Sequence, residues 1–488
     1  MKKVVSFLLA LTMIIGSMGM TFAAPATTFN DVEDVNVEKA VERLKAFGVV
    51  DGYEDGTYRP EKEVTREEFA KLMVTALGME HAAKAVQVAD FSDVEAGRWS
   101  AGYIAVAAGQ GIILGDPSGT FRPEAKVSYA EAVTMLVRAL GYQDSFLKGT
   151  WPGNFVAKAA ETGITSKVKF ADAAGFANRG EVAILLNNAL DADVIKVQSY
   201  EGTVIKYEES DKTLLEDKLD IEKLENIRLV ANDRLDSGLN KNEVKVITVK
   251  DNVEYDGKKH DKYYGFTFDI QNTFNPENFL GREITAYLND DNEIIYAEDE
   301  TAAGNVVKND RLDDEYNKEN KEQISTINKK KINVYSIDGD KNEDNNVDKY
   351  QYIYINGERI DNDKSDLESE LQGDIFGTFV LDNNQLVFAD LVKFEETDYV
   401  VQSVDTDKER ITYIKSASAS DDRNLDLKTK YDAYSIFLSD GTPLELKDLK
   451  EYDVFNIAEV EENGDDNIAR IYVWRDAVEG KFGKMTGG

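Results

Sequence analysis

The stretch GTYRPE at residues 56–61 returns almost unchanged as GTFRPE at residues 119–124. When residues 48–78 are aligned with residues 111–141, thirteen of the 31 positions are identical. A third, more divergent copy runs over residues 151–190. Repetition at this spacing indicates that one supersecondary unit is used several times in the first part of the chain.

Each copy predicts a helix, a glycine-rich loop and a second helix. The second helix starts with Thr65-x-x-Glu68, Ser128-x-x-Glu131 or Asn178-x-x-Glu181, and these pairs fit a capping box that satisfies free backbone N–H groups. Apolar residues follow at helical spacing, namely Phe69, Leu72, Met73 and Leu77 in the first copy and Val133, Leu136, Val137 and Leu140 in the second. One helix pair cannot bury such a stripe alone, so we expect the three copies to share a core.

These motifs resemble the S-layer homology domain family. The matching features are Phe-x-Asp-Val at residues 29–32 and 91–94, the Trp before a first helix, the Gly-Thr-Phe-Arg-Pro loop and the Thr-Arg-x-Glu helix start. The resemblance implies a pseudo-threefold helical bundle of three repeats, at residues 28–86, 87–146 and 147–197. It also implies binding of secondary cell-wall polysaccharide, often modified with pyruvate ketals, between repeats.

An anionic sugar would need a fixed cation. Arg66 and Arg179 each occupy the first position of a predicted helix, where free N–H groups and the helix dipole also favour an anion. A guanidinium can hold a carboxylate with two hydrogen bonds, whereas the alternative is a solvated charge at a helix start. Tyr129 stands at this position in the second repeat, so we expect one or two competent sites, not three.

Six further residues are candidates for carbohydrate contact, each with a structural alternative. Trp99 and Trp151 could stack on a sugar ring or pack in the core. Asp31 and Asp93 could accept sugar hydroxyls or serve as caps and turn formers. Gly52 and Gly115 permit close approach of a ligand to the backbone, and equally a tight turn.

From about residue 198 the sequence changes to short β-rich runs separated by Asn, Asp and Gly. We predict three barrel- or sandwich-like modules at residues 198–300, 301–394 and 395–488, giving a multidomain α + β chain. The acidic run that contains Asp338, Asp340, Asn342 and Asp344 has oxygen ligands at alternate positions, as a calcium loop does. It lacks the central Gly and the final Glu of an EF-hand loop, so a solvated hairpin tip is the alternative to Ca²⁺.

Composition limits the function classes. Net charge is −35, of which residues 198–488 carry −30, so binding to nucleic acid or to anionic lipid is disfavoured. The chain has no cysteine, which excludes disulfides and thiolate chemistry. Residues 1–24 read as a signal peptide, with a membrane-retained helix as the alternative, and no later apolar run is long enough to span a bilayer. We therefore expect export to the cell wall or S-layer of a Gram-positive-type bacterium.

Signals for catalysis are weak. The two histidines, His81 and His260, lie in different regions without metal-ligand spacing, and no nucleophile or phosphate-loop motif is present. We predict a non-enzymatic S-layer or accessory surface protein without a cofactor, anchored by residues 28–197 and able to assemble into a surface lattice. The rival predictions are a wall-anchored hydrolase and an anchored glycan-binding protein, each with its activity in the β-rich region.

Overall fold

A computed structural model describes most of the chain. The described residues are 29–168, 172–201, 204–236, 238–302, 304–311, 313–317, 322–327, 330–333, 351–360, 375–382, 385–394, 399–414, 423–438, 442–462 and 466–475. The predicted signal peptide (residues 1–24) and the predicted calcium ligands Asp338, Asp340, Asn342 and Asp344 lie outside these ranges.

Helices dominate the first part of the described chain and strands the rest, which confirms the predicted α + β class. The helices are α1 (Val35–Ala46), α2 (Arg66–Ala76), α3 (Glu80–Ala85), α4 (Ala101–Gly109), α5 (Tyr129–Ala139), α6 (Gly153–Glu161), α7 (Arg179–Leu190), α8 (Leu214–Leu219) and α9 (Leu427–Lys430). Single 3-10 turns cover Asp144–Phe146, Pro276–Asn278 and Leu446–Asp448. None of the helices in the described ranges is long and apolar enough to cross a membrane.

The strands begin at the end of the helical region. They are β1 (Asp193–Glu201), β2 (Val204–Thr213), β3 (Glu222–Asn232), β4 (Glu243–Thr248), β5 (Val253–Tyr255), β6 (Lys258–His260), β7 (Gly265–Asp269), β8 (Glu283–Leu288), β9 (Ile294–Asp299), β10 (Val306–Arg311), β11 (Asp313–Asn317), β12 (Glu322–Ile327), β13 (Lys330–Asn333), β14 (Tyr352–Ile355), β15 (Glu358–Arg359), β16 (Ile375–Asp382), β17 (Gln385–Lys393), β18 (Tyr399–Asp405), β19 (Arg410–Ile414), β20 (Arg423–Asp426), β21 (Ala433–Leu438), β22 (Pro443–Leu444), β23 (Val454–Glu462) and β24 (Asp466–Trp474).

The predicted starts of α2, α5 and α7 are confirmed. Thr65, Ser128 and Asn178 each accept a hydrogen bond from the backbone N–H of the Glu three residues later, and that Glu side chain accepts from the cap N–H in return. Two backbone donors that a helix start would leave free are thereby satisfied at each site. Local sequence alone is enough to fix these three helix starts.

A closed ring of backbone hydrogen bonds joins the segments that lead into these three helices. Val64 N donates to Ala177 O at 3.1 Å, Ala177 N donates to Val127 O at 3.1 Å, and Val127 N donates to Val64 O at 3.0 Å. All three residues are at most 1% exposed. Because water is excluded there, each member depends on the other two for its hydrogen bond.

The helices also pack between copies in cyclic order. Helix α1 packs against α7, α4 against α2, and α6 against α5, so each first helix lies on the second helix of another copy. The predicted apolar stripes are buried in one continuous core that includes Phe69, Met73, Val133 and Leu136. Each such side chain stabilises the fold by about 1.5–3 kcal/mol when fully buried.

The described residues fall into two compact units. One comprises Ala24–Lys223 with Ala286–Tyr296, and the other comprises Leu224–Thr285 with Ala297–Gly488. The helical unit therefore extends beyond the predicted boundary at residue 197. The physical reason is burial, since Leu214, Leu215 and Ile221 belong to the core of the helices.

The segment Ala286–Tyr296 completes the helical unit with aromatic contacts. The rings of Phe47 and Tyr287 lie 5.4 Å apart, and the Arg43 guanidinium lies 4.7 Å from the centre of the Tyr287 ring. Arg43 is 1% exposed and donates two hydrogen bonds to the Asp191 carboxylate, at 2.6 and 3.0 Å. The Arg43 side chain is buried, but the Asp191 side chain is 47% exposed, so water screens this ion pair from one side.

The β-rich part forms three larger sheets within the described residues. Their strand orders are β7-β4-β3-β8-β9, then β10-β16-β17-β13-β12-β11 with β14 and β15 attached at β17, and finally β20-β19-β18-β23-β24-β21-β22. Small two-stranded sheets pair β1 with β2 and β5 with β6. Three of the pairings in the larger sheets, β13 with β17, β14 with β17 and β21 with β24, are parallel.

A buried charge cluster ties the first two of these sheets together. Arg234, which follows β3, donates to Glu277 at 2.9 Å and to Asp390 on β17 at 2.7 Å. The Tyr354 hydroxyl on β14 also donates to the carbonyl of Val230 at 3.0 Å. Removing one member of such a cluster leaves buried charges without partners, so these contacts hold the two sheets in a fixed arrangement.

Candidate functional site

Two arginines at helix starts lie in almost identical backbone settings, as the repeats require. Arg66 N donates to Ala125 O and Arg179 N donates to Lys62 O, both at 2.9 Å. Each helix start thus lies on the loop of another copy, α2 on the second loop and α7 on the first. The sequence could not reveal this pairing, because it depends on how the copies are arranged in space.

The side chains of the two arginines also begin in the same way. Arg66 Nε donates to the carbonyl of Phe121 at 2.8 Å, and its guanidinium lies 4.8 Å from the centre of that ring. Arg179 Nε donates to the carbonyl of Tyr58 at 2.9 Å, and its guanidinium lies 4.5 Å from the Tyr58 ring centre. A carbonyl and an aromatic face therefore orient both guanidinium groups.

The far ends of the two guanidinium groups differ. Arg66 is 8% exposed, and its Nη1 donates to Glu131 Oε1 at 2.5 Å. Burial lowers the pKa of the Arg66 guanidinium, with the Glu131 carboxylate acting against that change. An arginine remains charged in any protein environment, so Arg66 forms an internal ion pair with Glu131. We call Arg66, Phe121, Arg122 and Glu131 the Arg66 cluster.

Arg179 is partly exposed, and no carboxylate among the described residues forms an ion pair with it. Its Nη2 donates instead to the backbone carbonyl of Asp51 at 3.2 Å, and its guanidinium lies 5.2 Å from the centre of the Tyr53 ring. Because carbonyls and rings do not neutralise the cation, the Arg179 guanidinium retains a full positive charge next to a helix start.

Further cations surround the Tyr53 ring. The Arg59 guanidinium lies 3.8 Å from its centre, and Lys62 Nζ donates to its hydroxyl at 3.1 Å. We call Tyr53, Tyr58, Arg59, Lys62 and Arg179 the Arg179 cluster. Burial raises the pKa of the Tyr58 hydroxyl to about 12, so that hydroxyl stays protonated and donates to the Arg179 carbonyl at 3.2 Å.

Sequence reasoning did not select Tyr53 and Lys62 as site residues. Tyr53 aligns with Asp116 and Lys62 aligns with Ala125, so neither is a repeated feature of the motif. The signal that could have found them is this difference between copies at positions that flank the same loop. A search for shared residues overlooks such positions.

The candidate aspartates both support the loops. Asp31 accepts the backbone N–H groups of Tyr58 and Arg59, each at 2.7 Å. Asp93 accepts those of Phe121 and Arg122 at 2.8 and 2.7 Å. The arginine in each loop has a positive φ, 57° for Arg59 and 59° for Arg122. The two carboxylates therefore hold a backbone conformation that a non-glycine residue rarely adopts.

The candidate glycines are closed off by aromatic rings. A Cβ atom on Gly52 would lie 2.0 Å from the Phe29 ring, and one on Gly115 would lie 2.3 Å from the Phe91 ring. Gly115 also has a φ of +68°. Their lack of a side chain is used to pack the leading Phe of each repeat against the loop.

The candidate tryptophans are on the surface. Trp99 and Trp151 are each 54% exposed. The Trp99 ring lies 6.4 Å from that of Tyr103, and Trp151 Nε1 donates to Thr134 at 3.0 Å. More than half of each residue is therefore accessible to solvent, and stacking on a sugar ring requires such access.

Tyr129 takes the place of the arginine at the start of α5. Its backbone N–H donates to Gly175 O at 2.8 Å, which matches the frame of the other two helix starts. Its side chain is 2% exposed, and burial raises the pKa of its hydroxyl. The third setting therefore offers a neutral group where the other two have a cation.

The sequence model of the S-layer homology domain matches residues 28–70 and 90–133. The chain is 31% identical to a surface layer protein of Brevibacillus choshinensis, over all of this chain and 45% of that protein. It is 32% identical to the middle cell wall protein of Brevibacillus brevis, over all of this chain and 48% of that protein. The chain thus spans about half the length of these two relatives.

Another relative matches only part of this chain and is named as an enzyme. The exoglucanase XynX of Acetivibrio thermocellus is 31% identical over 183 residues, which cover 34% of this chain and 16% of that enzyme. This similarity runs through the repeat region alone and does not extend to the β-rich part. The chain therefore carries S-layer homology domains in its first part, and over its whole length it is similar to a surface layer protein and a cell wall protein.

Proposed function

We propose that the helical unit anchors the chain non-covalently to an anionic secondary cell-wall polysaccharide, and that the Arg179 cluster is its principal binding site. The observation that carries the proposal is the Arg179 guanidinium, which is oriented by a carbonyl and two rings but forms no ion pair among the described residues. A carboxylate on the glycan, such as that of a pyruvate ketal, would supply the missing negative charge.

Three repeats in a pseudo-threefold bundle build this site. The cyclic hydrogen bonds of Val64, Ala177 and Val127 and the cyclic helix packing support that arrangement, with the third repeat at about residues 147–197. In this arrangement Arg179, the first helix residue of the third repeat, contacts the loop of the first repeat. A glycan bound there would contact two repeats at once.

The exposed tryptophans and loop cations extend the anchoring surface. Trp99 and Trp151 offer exposed indole surface for pyranose rings, and Arg59, which pairs with Asp55 at 2.9 Å, keeps half of its side chain exposed beside Tyr53. Stacking of sugar on indole and attraction of carboxylate to guanidinium add to each other when both engage one chain of sugars. Specificity for a charged wall polymer over a neutral one would come from the cations.

In the cell, the protein serves as a structural component of the surface layer or as an accessory wall protein. The names of the two relatives that align over the whole chain support this role and a non-enzymatic function. Assembly into a lattice is part of the same proposal. So is an outward orientation of the acidic part that contains the three larger sheets. Formation of ordered two-dimensional arrays by purified protein would support assembly, whereas turnover of wall glycans or peptides would favour the hydrolase alternative.

The test of anchoring is pelleting of the full chain with purified wall polysaccharide, either native or stripped of pyruvate. We expect the wild type to pellet with native material, and Arg179→Ala to lose most of that binding while keeping its helical circular dichroism. Arg410→Ala removes a partly exposed arginine, paired with Asp426, from the β-rich part and should pellet normally. Unchanged pelleting of Arg179→Ala, or equal binding to stripped material, would contradict the proposed site.

A further inference from the structure

The two arginine clusters differ in the partner of one carboxylate oxygen. Glu68 and Glu131 are equivalent residues, and in both the Oε2 atom accepts the cap N–H, from Thr65 or Ser128 at 2.8 Å. The other oxygen, Oε1, accepts from a cation, and that cation differs between the two residues. Glu131 Oε1 receives Arg66, whereas Glu68 Oε1 receives Lys62 Nζ at 2.9 Å.

The residue at the end of the loop accounts for this difference. Lys62 and Ala125 are equivalent, since their N–H groups donate to Arg59 O and Arg122 O, each at 3.1 Å. Lysine at this point can reach the Glu of its own repeat, and alanine cannot. The Glu of the second repeat is therefore left to the arginine of the first.

We infer that Lys62 is a specificity-determining residue, which neutralises Glu68 and thereby keeps the Arg179 guanidinium free for an anionic ligand, whereas Ala125 lets Glu131 occupy Arg66. The inference rests on the proposed function for its ligand but not for its ion pairs. Lys62 need not touch the glycan to act, because it works by removing a competitor for Arg179.

Electrostatics favours this assignment. Lys62 and Glu68 are 40% and 30% exposed, whereas Arg66 and Glu131 are 9% and 21% exposed. The Arg66 pair is therefore less screened and harder to open with an external carboxylate. A ligand that approached Arg66 would have to displace Glu131, and one that approached Arg179 would displace only a backbone carbonyl. One open site and one closed site follow from a single difference in sequence.

Two reciprocal variants of the full chain test the inference. Lys62→Met keeps the apolar stem but frees Glu68 to pair with Arg179, and should weaken binding to native wall polysaccharide roughly 10- to 100-fold, the range for a hydrogen bond to a charged group. Ala125→Lys should draw Glu131 away from Arg66 and raise the number of binding sites on each chain. Lys126→Met is the control, because among the described residues Lys126 Nζ donates only to the carbonyl of Glu63, at 3.4 Å.

A readout without ligand separates this inference from the anchoring proposal. In thermal unfolding, Arg66→Met and Glu131→Gln should be non-additive in the wild-type background and additive in Ala125→Lys. Arg179→Met and Glu68→Gln should be additive in the wild type and non-additive in Lys62→Met. If the wild type fails to bind polysaccharide but these couplings hold, the anchoring proposal fails and the ion-pair part of the inference stands. If the couplings do not change with residues 62 and 125, the inference is overturned whatever the wild type binds.

Discussion

Replacing the two equivalent arginines with alanine should separate stability from binding. Arg66→Ala removes the nearer of two cations from the largely buried Glu131 carboxylate, leaving Arg122 Nη2 at 3.6 Å, and it removes the donor from the Phe121 carbonyl. Breaking a fully buried ion pair costs about 3–5 kcal/mol, and the partial exposure of Glu131 places this one at about 3 kcal/mol. For a domain of about 150–250 residues, 1 kcal/mol lowers Tm by roughly 2–4 °C, so we expect a loss of about 6–12 °C.

Arg179→Ala leaves no carboxylate unpaired in the described part of the chain, and the contacts that it loses are to two backbone carbonyls and two ring faces. We expect a cost of about 1 kcal/mol, or roughly 2–4 °C. Circular dichroism at 222 nm during heating measures both changes in the helical unit. Arg66→Met combined with Glu131→Gln should recover part of the loss, because both charges are then gone. A larger fall in Tm for Arg179→Ala than for Arg66→Ala would refute this account of the two clusters.

Three further predictions concern the loops and the exposed rings. Gly115→Ala should destabilise the helical unit by about 2–4 kcal/mol in chemical denaturation, because the new Cβ would clash with the Phe91 ring and the residue has a positive φ. The control is the exposed Gly109, where an added Cβ would have nothing within 4 Å. A smaller effect at Gly115 than at Gly109 would contradict this reason. Burial acts to raise the pKa of Asp93, but hydrogen bonds from the N–H groups of Phe121 and Arg122 outweigh it and lower that pKa below the ordinary 3.8. The stability that Asp93 adds is therefore present above about pH 4 and lost as pH falls through its lower folded-state pKa. Asp93→Asn should accordingly lower Tm at pH 7, and its Tm should converge with that of the wild type in acid. Trp99→Ala and Trp151→Ala should reduce pelleting with polysaccharide several-fold while shifting Tm by only a few degrees, and a large loss of Tm without loss of pelleting would show that both indoles are structural.

Local chemistry explains why much of the helical part was predictable. The capping pairs at Thr65, Ser128 and Asn178 involve residues three apart, and the apolar stripes follow helical spacing, so neither needs a tertiary contact to be recognised. The shared core then follows from the inability of a single helix pair to bury its stripe.

The functional differences between copies could not be predicted in the same way. Arg66 and Arg179 have the same sequence context, yet Arg66 is 8% exposed and forms an ion pair, whereas Arg179 is partly exposed and forms none among the described residues. The reason is that their partners come from loops about 60 and 120 residues away in the chain. Likewise the strand order of the β-rich part, with its parallel pairs of β14 and β17 or β21 and β24, depends on contacts that short alternating runs do not encode.

The ring formed by Val64, Ala177 and Val127 has a consequence for how such chains can evolve. An open array of repeats can gain or lose a member at either end, since only one neighbouring surface is exposed by the change. A closed ring has no end, and deleting one member strands a donor on one neighbour and an acceptor on the other. Chains that contain this ring should therefore gain or lose the segments that form it only as a complete set.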